Sequence, residues 1–212
     1  MTAGTGRTAR ARPREAIVEA VLELLKEGGY EAVHLREVAR RARVSLATIY
    51  KFFPTREELI VTAVERWMAA NGCADLVPAV PGETLYEGLM RVFRHVFEPW
   101  ERDPRMLEVY QRAQASPGGQ RLRRQTTWTI EPVGRAMLQG LDPHYAADVA
   151  LVLTHLGHAV VGAFAAGELD VTEILPVLER AVYRLTADNA TAAKGLSGTG
   201  PGAQTGGSKP RA

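Results

Sequence analysis

From Val33 to Arg56 the chain reads V-H-L-R-E-V-A-R-R-A-R-V-S-L-A-T-I-Y-K-F-F-P-T-R, and this stretch constrains the fold more than any other. Leu35, Val38, Ala39 and Ala42 recur at helical spacing, as do Leu46, Ile49 and, one turn on, Phe53. Only Arg43 to Ser45 separates the two apolar patterns. A Ser45 hydroxyl can accept a hydrogen bond from the backbone N–H of Ala47 or Thr48, which starts the second helix there. Two short helices in such close succession form either an ordinary surface hairpin or a helix-turn-helix, whose second helix enters the major groove of DNA. Charge favours the second reading. Arg36, Arg40, Arg41, Arg43, Lys51 and Arg56 crowd the stretch, and Glu37 is its only acid.

The charge of the whole chain is distributed the same way. Net charge is only +2, yet eleven basic residues stand against six acids up to Arg56, which leaves the remainder mildly acidic. A basic front on an acidic body suits a protein whose one end meets nucleic acid. The single cysteine, Cys73, rules out an internal disulfide and gives no zinc-finger spacing, as expected for a cytoplasmic protein. The arginines near the amino terminus precede no apolar run, which argues against a secretory signal.

Residues 13 to 68 resemble the DNA-binding domain of the TetR family of transcriptional regulators. The resemblance rests on the first helix, on G-G-Y-E-A-V-H-L-R-E-V-A (28 to 39) and on V-S-L-A-T-I-Y-K-F-F-P-T-R-E-E-L-I (44 to 60). There are departures. His34 stands where the family usually caps the second helix with Ser or Thr, Ala47 stands for a common Gly, and Arg56 for a usual Lys. The resemblance implies that Thr48 and Tyr50 contact phosphate or sugar. It also implies that Arg56, with the backbone N–H groups opening the fourth helix, clamps the DNA backbone. Leu46, Ala47 and Lys51 face base edges, Lys51 suiting guanine and the two apolar side chains suiting thymine methyls. His34, Arg36, Ser45 and Thr55 complete the expected DNA-contacting set.

The rest of the pattern is helical, with no strand alternation. A flexible basic arm is expected over 1–12, then a first helix from about Pro13 to Glu27 ended by Gly28-Gly29. Thr55 with Glu58 reads as a capping box for the fourth helix. The DNA-binding domain should end near residue 73, and Asn71-Gly72 with the Pro78–Gly82 stretch marks the boundary. A second helical domain over 83–188 follows, with helices at about 83–101, 103–115, 120–138 (interrupted near Pro132), 142–166 and 171–188. Residues 189–212 are Gly-, Ser-, Thr- and Ala-rich and are expected to be disordered. The segment 146–167 is apolar almost all round and long enough to span a bilayer, but Asp148, Thr154, His155 and His158 lie inside it. A helix buried on all sides of a soluble protein is the better reading.

No catalytic constellation and no cofactor motif stands out in the second domain. His155 and His158 lie three apart, without the carboxylate or cysteine company that a metal site needs, so no metal is expected. Phe93, Phe97, Trp100, Met106, Tyr110, Trp128 and Met137 offer large irregular apolar surface. With Gln111, Thr154, His155 and His158 they could line an apolar cavity bearing a few polar groups. The resemblance implies that such a cavity takes a small-molecule effector. A looser pattern, R-D-P-x-M-L-E-x-x-x-R-A from Arg102, resembles the branch that represses steroid catabolism, which would imply a steroid or its acyl-CoA thioester. The small residues Gly157, Gly162 and Ala166, with Ile174, Leu178 and Val182 of the last helix, are the expected seam of a homodimer. The expectation is therefore an all-α, ligand-responsive repressor, not an enzyme and not membrane-bound, that binds a palindromic double-stranded operator. The rival from another class is a helical enzyme or lipid carrier with an incidental basic hairpin.

Overall fold

The computed structural model describes residues 5–71, 76, 77, 80 and 82–186, the side chains of 5–11 excepted. Among these residues there are nine α-helices and no strand: α1 (Thr5–Gly28), α2 (Leu35–Ala42), α3 (Leu46–Phe52), α4 (Arg56–Asn71), α5 (Leu85–Arg102), α6 (Pro104–Ala115), α7 (Gln120–Met137), α8 (Pro143–Ala165) and α9 (Val171–Thr186). A single 3-10 turn, Tyr30–Ala32, links α1 to α2. Cys73 and the expected disordered tail from 189 lie outside the described residues.

Helix α1 starts at Thr5, so it runs through most of the stretch expected to be a flexible arm, and Pro13 lies inside it. Ala and Arg favour helix and nothing between Thr5 and Arg12 breaks one, so the cost of Pro13 does not set the start. Gly29 ends the helix at φ 70°, a left-handed turn that side chains resist. Ile17, Val21, Leu24 and Leu25 of α1 meet Val38 of α2, Ile49 of α3, and Leu59, Ile60 and Val64 of α4. Burying each such side chain contributes about 1.5–3 kcal/mol. That core does not stop at the domain boundary but continues into Met106, Leu107 and Tyr110 of α6.

Arginines of the second domain reinforce the junction. Arg105 donates to the Lys26 carbonyl at 2.8 Å, one of the acceptors a helix end leaves open. Arg112 pairs with Glu31 and lies over the Tyr30 ring, 4.5 Å from its centroid. Arg121 of α7 reaches Glu58 at 2.6 Å and Glu65 at 3.0 Å, both on α4.

Thr84 and Glu87 form a reciprocal capping box that opens α5, and Asp142 caps α8 by accepting from His144 and Tyr145. At α4 only half of the expected box forms. Thr55 accepts from the Glu58 N–H at 3.0 Å, but the Glu58 carboxylate is turned to Arg121. Helix α7 runs through Pro132 without the expected interruption. Burial of α8 also departs from expectation. Only Val149, Leu153 and Val160 are buried, while Leu151 is 59% and Val152 43% exposed. Helix α8 is the one described helix long and apolar enough to cross a membrane, yet its open face carries Asp148, Thr154, His155 and His158, groups that hydrocarbon disfavours.

Candidate nucleic-acid interface

Helices α2 and α3 sit on α1 through Val38, Ala39, Ile49 and Phe53, which turns their other faces to solvent. The bend between them is built from backbone. Arg43 takes the left-handed conformation (φ 53°, ψ 46°), and its N–H with that of Val44 closes α2 on the carbonyls of Arg40 and Ala39. Ser45 is extended, and its Oγ accepts from the Thr48 N–H at 3.1 Å, the cap expected from the sequence. The Ser45 and Thr48 hydroxyls also lie 2.9 Å apart. His34 holds the cap position of α2 but makes no side-chain cap; only its carbonyl joins the helix, accepting from Glu37 and Val38.

The outward face therefore presents His34, Arg36, Arg43, Ser45, Leu46, Ala47, Tyr50 and Lys51, all exposed. Tyr50 is 54% exposed, too open to be a core aromatic, whereas Phe53 is 2% exposed and belongs to the core. Cations of this segment fall into two groups. Arg40 grips Glu37 with two nitrogens, at 2.8 and 2.6 Å, and Arg41 bridges Glu37 to Glu27 at 2.7–2.8 Å. Those hydrogen bonds hold the Glu37 carboxyl at about 2 and push the Arg41 pKa up. Arg36, Arg43 and Lys51 have no ion pair among the described residues, so their charge is available to an anion.

Arg56 does not stand where the resemblance implied. Its Nε donates to the Val33 carbonyl at 2.7 Å and its Nη2 to the Tyr30 carbonyl, and the guanidinium lies 4.8 Å over the Tyr30 ring. Glu31 and Glu57 follow at 3.7 and 3.9 Å. The guanidinium fastens the 30–33 loop to α4 and is not free to clamp a phosphate. Thr55 is exposed and its hydroxyl caps α4, which leaves the Arg56-Glu57-Glu58 turn acidic at the point where a phosphate was expected.

Two family models match this chain: bacterial regulatory proteins of the tetR family over residues 17–63, and the tetracyclin repressor-like C-terminal domain over 82–185. The chain belongs to the TetR family. Among its relatives, the HTH-type transcriptional repressor KstR of Rhodococcus jostii (strain RHA1) is 34% identical over 105 residues, covering 50% of this chain and 49% of that protein. KstR of Mycolicibacterium smegmatis is 33% identical over 108 residues, 51% and 53% of the two chains. The match thus spans about half the length of these curated relatives. The fold is also that of a TetR transcriptional regulator from Rhodococcus sp. RHA1, with TM-score 0.60, 21% identity and coverage of 83% and 95%. A TetR regulator from Agrobacterium tumefaciens gives 0.59 at 17% identity, with 82% and 92% covered.

The effector residues expected of a TetR regulator do not line one cavity. Trp100 is wedged between Trp67 (4.4 Å between centroids) and Tyr110 (5.2 Å), with Phe97 and Met106 buried in the same core. Gln111 donates to the Val161 carbonyl at 3.3 Å and ties α6 to α8. Met137 packs in a second apolar cluster with Leu89, Met90, Val149, Leu153 and Val182. Trp128 is 75% exposed, and Thr154, His155 and His158 also face solvent, because the α8 face that carries them meets no other part of the chain. Phe93 is half-buried and packs against both clusters. The largest concavity is an open groove of about 740 Å³ beside α5, lined by Val77, Val80, Met90, Arg91, Arg94 and His95 among others, none of them expected.

The expected TetR dimer seam divides as well. Ile174, Leu178 and Val182 have no exposed surface, since α9 spends its apolar face on α5 and α8 within one chain. Gly162 and Ala166 are exposed and Gly157 half-buried. Asp148, Leu151, His155, His158, Gly162 and Ala165 follow one another at alternating steps of three and four residues, and every one is exposed.

Proposed function

We propose that this TetR-family regulator is a homodimeric repressor that reads a palindromic operator with α3 and leaves it when a hydrophobic small molecule binds. The observation that carries the DNA half is the reading face of α2 and α3, where exposed Tyr50, Leu46 and Ala47 stand among cations without partners. Such a face offers both phosphate contacts that position and base contacts that specify. Action on chromosomal DNA places the protein in the cytoplasm. The proposed seam is the open stripe of α8, whose three-and-four spacing is that of a knobs-into-holes contact with a second helix. Pairing the copies there is an isologous contact that fixes the spacing of two recognition helices.

Repression is carried over from the KstR relatives, and with it the proposal of a steroid-like or acyl-CoA effector. Support for the place of entry is Phe93, at the junction of the two apolar clusters. A ligand wedged there would favour whichever arrangement of α5, α6 and α7 accommodates it, and only its differential affinity for the two arrangements moves the equilibrium. Selection of binding duplexes from a random pool, followed by anisotropy titration with sterols and long-chain acyl-CoAs, tests both halves. The expected result is an enriched inverted repeat released by one of these classes. Enrichment of no sequence would support the enzyme-or-carrier alternative instead.

A further inference from the structure

We propose that Arg43 is a DNA-phosphate contact, held at the bend of the helix-turn-helix in a backbone conformation that opposes it. The inference rests on the DNA-binding reading above and adds to it a residue that the expected contact set lacks. Among the described residues Arg43 is the only one other than glycine with positive φ, at 53°. Glycine adopts that left-handed conformation freely and asparagine tolerates it, whereas a branched, long side chain crowds the following carbonyl. The bend itself needs only the conformation: both backbone bonds that close α2, from Arg43 N–H and Val44 N–H, would form equally well with glycine in place. Nothing in the fold repays the arginine. Its side chain is exposed and has no hydrogen bond or ion pair among the described residues, while Glu37 and Glu27, the nearby acids, are taken by Arg40 and Arg41.

A strained residue whose side chain does nothing inside the protein points outward for its role. Arg43 lies two residues ahead of Ser45, the cap of α3, so its α-carbon is within about 7.6 Å of the start of the recognition helix. From there a flexible cation reaches a phosphate bordering the groove that α3 enters, and it contributes charge without reading sequence.

The test compares wild type with Arg43→Gly, Arg43→Asn and Arg43→Lys on two probes: a mixed-sequence duplex and the duplex enriched by selection with the wild-type protein. Arg43→Gly should raise Tm by roughly 2–6 °C through relief of the backbone. It should also weaken binding to both duplexes by a similar factor, roughly 3- to 10-fold, and flatten the plot of log affinity against log salt by about 0.9. Arg43→Asn should lose the same slope, and Arg43→Lys should keep it. An Arg43→Gly protein with wild-type affinity and slope overturns the contact, and one whose Tm does not rise overturns the strain. Wild-type protein that shows no salt-dependent binding to either duplex would instead sink the DNA-binding reading itself.

Discussion

Replacing Arg56 by alanine separates two roles that one arginine could play. Its guanidinium bonds two backbone carbonyls, those of Val33 and Tyr30, and covers the Tyr30 ring at 4.8 Å. Hydrogen bonds to a charged donor contribute about 1.5–3 kcal/mol each and a half-exposed cation–π contact about 0.5–1. The side chain keeps 25% of its surface in water, and water would re-solvate the freed carbonyls, so the lower half of that sum is appropriate. The expected loss is about 2–4 kcal/mol. At about 2–4 °C per kcal/mol for a chain of this size, Tm should fall by roughly 4–16 °C. Binding to DNA, measured well below that Tm over a series of salt concentrations, should keep its wild-type slope. A phosphate clamp behaves in the opposite way: Tm unchanged and a slope flatter by about one. That second outcome would refute the reasoning.

Lys51→Ala should relax preference at one base position, at a cost of about 1–3 kcal/mol there, which a competitive selection against wild type measures. Leu178→Ala removes three buried carbons, worth about 2.4 kcal/mol before any cavity cost, and should destabilise by about 2–5 kcal/mol. Gly162→Arg, placed on the open stripe where an added Cβ meets nothing, should leave the fold intact and yield monomers by sedimentation; persistence of a dimer would remove α8 as the seam. Glu37, held at about 2 by Arg40 and Arg41, lies below its ordinary 4.5. Its contribution is therefore complete above pH 4.5 and lost as pH falls toward 2, so the stability gap between wild type and Glu37→Gln should close across that window in urea titrations.

What the sequence made legible was governed by period and by caps. The 3.6-residue recurrence of Leu35, Val38 and Ala39, and the Ser45 cap, placed α2 and α3 within a residue or two. Thr84 and Glu87 carry the same kind of signal, and the structure honours it. Where the sequence misled, tertiary partners decided. Periodicity shows that α9 has an apolar face but not that α5 and α8 of the same chain consume it. Composition shows that α8 is apolar but not that one side stays open. Arg56 reads as a surface cation by type, and only the fold brings the Tyr30 and Val33 carbonyls under it. The aromatic set failed as a pocket for the same reason: Trp100 and Tyr110 were chosen as large apolar residues, which is also what fills a core.

The arginines at the domain junction make ionic strength act on this protein twice. Arg112 with Glu31 is a largely exposed pair, and Arg121 with Glu58 is about a third exposed, so added salt weakens both. As they loosen, the pose of the DNA-reading end against the α6–α7 end is left to the shared apolar core, which grips without fixing a direction. The electrolyte thus tunes not only how strongly the reading heads are drawn to DNA but how precisely each is aimed, and a curved salt titration is the natural signature of a regulator mounted on ionic hinges.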